Sequence, residues 1–172
     1  MKLSYEALQK HFTYDENLKL LRWKLPTSNR SKPGDPAGRV TSDGYRRVGF
    51  LGKTHSHATL VWMYHGRPLP KGKILDHKDL DRTNDCLENL RVATTVQNAG
   101  NVPRHRDNRT GYKGVYLHCK DLYTARVQFE GRVHRLGYYK KPRDAAKAYD
   151  KKALSLFGRY ARVNFPGETS HG

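Results

Sequence analysis

Ile74-Leu75-Asp76-His77-Lys78-Asp79-Leu80 opens a stretch that runs through Asn89-Leu90-Arg91-Val92-Ala93 to Thr94-Thr95-Val96-Gln97-Asn98. Residues 73–77 have the pattern of a strand, 78–88 are polar and loop-like, and Leu90 to Ala93 suits a second strand. Thr94 followed three residues on by Gln97 is a capping-box signature, with Thr94 as N-cap and the Gln97 side chain reaching back. Asn98 then falls just inside a short helix that Pro103 ends. The stretch predicts a β-β-α unit in which an acid, a base and an amide (Asp76, His77 and Asn98) converge.

Those three groups suit one chemistry. Hydrolysis of a phosphodiester needs an activated water and neutralisation of charge on the phosphate and the leaving oxygen. A Mg²⁺-like cation takes hard oxygen ligands and keeps positions open for water and phosphate. One carboxylate and one amide oxygen leave most of its coordination sphere to substrate. A neutral histidine beside it can serve as general base, because its unperturbed pKa lies near ~6.5.

Composition agrees on the substrate. The chain has 172 residues, 33 Lys and Arg against 16 Asp and Glu, and a formal charge of +17. Both halves, divided at Pro103, carry a basic excess, so the charge is no single tail. An isoelectric point of about 10.0 with 11 tyrosines predicts nucleic-acid binding. The hydrophobic fraction of 36% limits each core to a modest size. Cys86 and Cys119 lie far apart with no C-x-x-C, which excludes a cysteine zinc knuckle and predicts free thiols. No run approaches a membrane span and Met1 to Glu6 lacks a signal-peptide core, so a soluble, cytoplasmic protein is expected, without a small-molecule cofactor.

Upstream, Tyr5, Leu8 and Phe12 follow a helical spacing and Leu18 to Trp23 reads as a strand. Asp43-Gly44 is a hairpin turn between Gly38-Arg39-Val40 and Tyr45 to Phe50, and His57 to Tyr64 reads as a buried helix. Asp79, Asp81 and Asp85 lack the Gly and terminal Glu of a calcium loop and read as a solvated loop. His55, His57 and His65 read as packing or phosphate contacts, with His57 best placed to support a site, and Trp23 and Trp62 read as core.

Downstream, residues 102–111 read as a basic linker. Three strand-like runs follow, at 112–118, 122–130 and 132–139, then a helix from Pro142 to Phe157 with Gly158 past its end. In the middle run Tyr123, Ala125, Val127 and Phe129 alternate with Thr124, Arg126 and Gln128. Three strands covered by one helix leave the second face of the sheet open.

Asp76-His77-Lys78-Asp79, followed at the same spacing by Asn89-Leu90-Arg91 and Gln97-Asn98, resembles the H-N-H family of phage and homing endonucleases with its ββα-metal fold. Leu21-Arg22-Trp23, Gly34 to Gly38, Asp43 to Arg46 and His57 to Trp62 extend the resemblance from about Tyr14 to Asn101. It implies a general base at His77, a Mg²⁺ or Mn²⁺ (or another divalent cation) bound by Asp76 and Asn98, and a catalytic loop braced by Asn89. Leu80 departs from it, standing where members commonly have glycine.

Tyr112-Lys113-Gly114-Val115, Tyr123 to Val127, Leu136 to Tyr139, Ala145 to Asp150 and Val163-Asn164-Phe165-Pro166 resemble the APETALA/ethylene-response-factor DNA-binding domain over residues 110–166. That resemblance implies DNA contacts at Lys113, Tyr116, His118, Arg126, Gln128 and Arg135. Arg126 and Arg135 suit guanine and Lys113 suits phosphate.

The expected fold is therefore α+β, with an N-terminal ββα-metal nuclease domain and a small three-stranded antiparallel sheet packed on one helix. Its parts are residues 1–101, the linker 102–111, the DNA-binding domain 112–166 and a tail 167–172. The expected activity is metal-dependent endonuclease cleavage of double-stranded DNA, by a monomer or a dimer formed transiently on DNA. A non-catalytic DNA-binding regulator on the same scaffold is the alternative, opposed by the presence of Asp76, His77 and Asn98 together.

Overall fold

The computed structural model describes residues 3–168; the end of the tail expected at 167–172 lies outside them. The chain divides into two compact units, Met1–Ala93 and Thr94–Gly172.

In the first unit, α1 (Tyr5–His11) starts at Ser4, whose hydroxyl accepts from the Ala7 amide, and ends with Lys10 and His11 in its last turn. These ends suit the helix dipole and satisfy an otherwise orphaned donor. The chain then turns straight into β1 (Phe12–Asp15), which pairs antiparallel with β2 (Leu20–Trp23), Phe12 opposite Trp23. β3 (Arg39–Val40), β4 (Arg46–Phe50) and β5 (Lys53–Ser56) form an antiparallel meander. It feeds α2 (His57–Tyr64), where His57, Ala58, Leu60, Val61 and Trp62 are all buried. Leu8, Phe12, Leu21, Trp23, Val48, Phe50, Leu60 and Val61 close over one another as the main core. Trp62 joins a smaller cluster with Ala58 and Leu90, its indole N–H donating to Pro68 O at 3.1 Å.

The last pair of this unit carries the expected chemistry. β6 (Ile74–His77) pairs antiparallel with β7 (Leu90–Ala93), Asp76 opposite Arg91 and His77 opposite Leu90. Leu90 of this hairpin clusters with Ala58 and Trp62 of α2, which fixes the hairpin's inner face.

The second unit begins with α3 (Thr95–Gly100). Thr94 and Gln97 form the reciprocal capping box, at 3.0 and 2.8 Å. By its contacts α3 groups with the second compact unit, while the boundary expected from the sequence stands at 101. Gly100 explains the difference. Its carbonyl accepts from Lys113 Nζ at 2.8 Å and from the Arg162 amide at 3.0 Å, and a Cβ at this position would stand 2.6 Å from the Phe157 ring.

β8 (Val115–Cys119), β9 (Leu122–Phe129) and β10 (Arg132–Tyr139) form an antiparallel sheet in the order β10-β9-β8. α4 (Pro142–Phe157) lies on one face, with Pro142 in its first turn and Gly158 as C-cap, followed by a 3-10 turn over Gly158–Tyr160. Val115, Ala125 and Val127 from the strands meet Ala145, Ala146, Tyr149, Ala153 and Phe157 from the helix as the buried set of this unit. Small residues on both sides let helix and sheet approach closely. The buried Asp150 carboxylate accepts from the Asn164 and Phe165 amides at 2.8–2.9 Å and pins the segment after the helix.

The architecture is α+β, a mixture of helices and small antiparallel sheets. Residues 102–111 are more tightly held than a linker pattern predicts. The Asn108 amide donates to Tyr112 O and Val115 O, both at 2.9 Å, and Thr110 Oγ1 donates to Val115 O at 3.1 Å. Cys86 and Cys119 are free thiols. No helix among the described residues is long and apolar enough to cross a membrane.

Candidate active site

Asp76 and His77 end β6 and are both buried, at 4% and 6% exposure. Asp76 accepts from its cross-strand partner, Arg91 Nε, at 2.8 Å on Oδ2. The guanidinium fixes the carboxylate plane and balances its charge in a poorly hydrated position.

Asn89 closes the loop after β6. Its Oδ1 accepts from the Asp79 amide at 3.1 Å, and its Nδ2 donates to Asp79 Oδ1 at 2.9 Å and to Asn84 O at 2.8 Å. Its carbonyl accepts from the Lys78 amide at 3.0 Å. The buried Asn89 side chain thus ties the start of the loop at Asp79 and its middle at Asn84 to the loop's far end. Asp79 also accepts from Asn84 Nδ2 at 2.7 Å, and Asp81 accepts from the Thr83 amide and hydroxyl. Burial raises the Asp79 carboxyl, but the Asn84 and Asn89 hydrogen bonds outweigh it and leave it below the ordinary carboxylate value.

Asp79 and Asp81 are exposed, as a solvated loop predicts, but Asp85 is not. It is 3% exposed, and its two oxygens face different imidazoles: Oδ2 lies 2.7 Å from His57 Nδ1 and Oδ1 lies 2.7 Å from His77 Nε2. The solvated reading of Asp85 is corrected by these contacts. Local composition gave no sign of them, because His57 arrives from a helix 28 residues earlier. Burial raises the Asp85 carboxyl, and the His57 and His77 hydrogen bonds more than reverse this, holding it below its ordinary value. His57 is itself 1% exposed and its Nε2 accepts from the Leu21 amide at 3.0 Å. His55 and His65 reach Phe50 O and Val61 O and lie in packing positions.

Beside His77 stands a cationic rim that motif spacing does not reveal. The Tyr45 ring lies 6.0 Å from the His77 ring, and the guanidinium groups of Arg47 and Arg82 lie 5.3 and 4.9 Å from the Tyr45 centroid. Arg82 donates to Asp43 O at 2.8 Å and Arg47 to Asp43 Oδ2 at 3.2 Å. The Thr41 hydroxyl, the Tyr45 amide and Arg47 hold the Asp43 carboxyl down at about 2.

Asp76 and His77 thus follow one another on β6, and Asn89 stands at the far end of the loop that leaves it, all in the first unit. Asn98, the remaining expected metal ligand, is half-buried on α3 of the second unit, its amide donating to Thr94 O at 2.9 Å. Among the described residues no three His, Cys, Asp or Glu side chains gather into a metal-holding set. The expected carboxylate and amide are a smaller set than that. Both are oxygen donors, the chemistry a hard divalent cation prefers.

In the second unit, Tyr116, His118, Arg126, Gln128 and Arg135 are exposed. Arg126 stands directly across from Arg135 and its guanidinium lies 3.8 Å from the Tyr116 ring centroid. His118 packs 4.6 Å from Tyr138, an exposed residue outside the expected set. Lys113 differs from expectation. It is half-buried, donates to Gly100 O and sits 5.8 Å from the Tyr149 ring, so its ammonium braces the unit instead of standing out toward a phosphate. Burial, and then the charge of Arg162, pull it down to about 8.

Residues 55–99 match the HNH endonuclease family. The chain carries an HNH domain. That domain spans α2, the β6–β7 hairpin and most of α3, and so contains His57, Asp76, His77, Asp85, Asn89 and Asn98. Over 121 residues, 70% of this chain, the protein is 30% identical to "Uncharacterized HNH endonuclease L560" of Acanthamoeba polyphaga mimivirus. Over 75 residues, 43% of this chain, it is 35% identical to "Protein 3.8" of Escherichia phage T7. The matches span 63% and 62% of the length of these curated relatives. No solved structure matches the chain.

Proposed function

We propose that this protein is a metal-dependent DNA endonuclease. The observation that carries the reading is the HNH domain match, which encloses the hairpin bearing Asp76 and His77. His77 is the general base, taking a proton from the attacking water. Asp76 and, as the family resemblance implies, Asn98 are the residues that would hold a Mg²⁺ or Mn²⁺ ion. When bound, that ion supplies charge neutralisation at the phosphate and the leaving oxygen. Asn89 keeps the loop after β6 in shape and so keeps the imidazole aimed. Arg47 and Arg82 offer guanidiniums to the flanking phosphates, which they contact without reading sequence.

The open sheet face of the second unit docks on duplex DNA in the manner of the APETALA/ethylene-response-factor domain. Arg126, Gln128 and Arg135 reach base edges, and Tyr116 and His118 flank them. Two arginines directly opposed on an exposed face repel each other, and an anionic ligand relieves that repulsion. The basic excess in both halves supplies the non-specific attraction.

The test is incubation with supercoiled plasmid, with Mg²⁺, with Mn²⁺ and with chelator. Conversion to open circle in the presence of either metal is expected, with linear product indicating paired cuts. Binding without cleavage under every metal would replace this reading with that of a DNA-binding regulator.

A further inference from the structure

Asp85 is the buried acid that the proposed mechanism leaves unused, and its hydrogen bonds determine where two protons sit. The Leu21 amide can only donate, so His57 Nε2, 3.0 Å away, must accept and carries no proton. The His57 proton is therefore on Nδ1, where it is donated to Asp85 Oδ2 at 2.7 Å. The Asp85 carboxyl is held ionised below its ordinary value, and an ionised carboxylate only accepts. The 2.7 Å contact between Asp85 Oδ1 and His77 Nε2 then requires the His77 proton to be on Nε2.

We infer that Asp85 is a positioning residue for the nuclease reaction: it holds His77 as the Nε2–H tautomer, with the basic lone pair on Nδ1. His57 in turn holds Asp85, and the β2 backbone at Leu21 holds His57. All three side chains are at most 6% exposed, so water does not compete for these bonds. The inference rests on the endonuclease reading for its consequence, but the tautomers follow from the hydrogen bonds and the ionised Asp85 carboxylate.

The proton balance is simple. Water gives its proton to His77 Nδ1 while its oxygen bonds to phosphorus. The bond from phosphorus to the 3′ oxygen breaks, and that oxygen leaves with the electron pair and takes a proton from solvent. The imidazolium keeps its Nε2–H on Asp85, whose negative charge favours it. Asp85 is not protonated in the cycle.

Asparagine at this position offers one acceptor and one donor in place of two acceptors. His57 cannot reverse its tautomer without setting its own N–H against that of Leu21. The amide oxygen of Asp85→Asn therefore faces His57, and its NH₂ faces His77 and drives the His77 proton to Nδ1.

The experiment is ¹⁵N NMR of the imidazole nitrogens of the full chain at alkaline pH, on wild type and Asp85→Asn, beside plasmid nicking by the same samples. The wild type should show His57 as the Nδ1–H and His77 as the Nε2–H tautomer. Asp85→Asn should move His77 to Nδ1–H and lower the nicking rate about 10²-fold or more, with DNA affinity unchanged. A wild-type His77 in the Nδ1–H form overturns the inference without needing any variant to fold. So does an Asp85→Asn protein that nicks at the wild-type rate. A wild type with the expected tautomers that cleaves no DNA overturns the nuclease reading, and with it Asp85's part in catalysis, while the hydrogen-bond assignment stands.

Discussion

The amide of Leu80 donates to the His77 carbonyl at 3.1 Å, and the turn that this bond closes holds Leu80 at φ +73°. The chain leaves His77 through a left-handed residue with a branched side chain, a conformation that glycine adopts without strain. The left-handed region costs an L residue roughly 1–2 kcal/mol. Glycine returns about 0.4–1 kcal/mol of that through the freedom of the unfolded chain. Leu80→Gly should therefore stabilise the fold by about 0.5–1 kcal/mol and leave the nicking rate unchanged. A lower urea midpoint would show that the Leu80 side chain contributes more by packing than its backbone costs.

Gly114 is the opposite case. It sits at φ +73° between Lys113 and the start of β8, and a Cβ there would overlap the Tyr149 ring and stand 2.9 Å from Arg126 O. Backbone strain and overpacking act together, so Gly114→Ala should destabilise the second unit by about 3 kcal/mol. Thermal unfolding followed by tyrosine fluorescence is the check, and a loss under about 1 kcal/mol would mean that Tyr149 moves aside at little cost.

Lys113 gives the second unit a stability that depends on pH. Its ammonium is pulled from 10.5 down to about 8 in the folded chain, chiefly by burial. Below about 8 the group is charged in both states, and the fold bears the full cost of burying it. Between about 8 and 10.5 the folded chain sheds the proton while the unfolded chain keeps it, so this cost shrinks as pH rises. The urea midpoint of the wild type should therefore rise relative to Lys113→Met across that interval. Parallel midpoints would mean that Lys113 is solvated well enough to keep its charge.

Arg135→Ala should weaken binding to a preferred duplex by about 1–3 kcal/mol if the guanidinium reads a base. Removing one of the two opposed arginines should leave the free protein as stable as before, or slightly more so. Filter binding against specific and scrambled duplexes separates the roles. A loss confined to the specific duplex marks base reading, an equal loss on both marks a phosphate contact, and unchanged affinity removes Arg135 from the interface.

Legibility in the sequence followed the range of the interactions. The capping box at Thr94, the Pro142–Phe157 helix and the alternation in β9 are set by neighbours a few residues away, and each appears where periodicity places it. β1 was hidden because Phe12 extends the helical spacing of Tyr5 and Leu8, and only its pairing with Trp23 makes it a strand. The membership of α3 turns on Gly100, where a missing side chain admits Phe157 from a distant helix. Asp85 lies among charged and polar residues and reads as solvent-facing until His57 and His77 close on it. The β6–β7 hairpin that carries Asp76 and His77 was legible because its two strands are near in sequence.

The most direct test measures cleavage and binding side by side for wild type and His77→Ala on the same supercoiled plasmid with Mg²⁺. The variant is expected to bind DNA within a few-fold of wild type and to lose nicking by about 10²-fold or more. Cleavage by His77→Ala near the wild-type rate, or a loss of cleavage that merely follows a loss of binding, would contradict the assignment of His77 as the base.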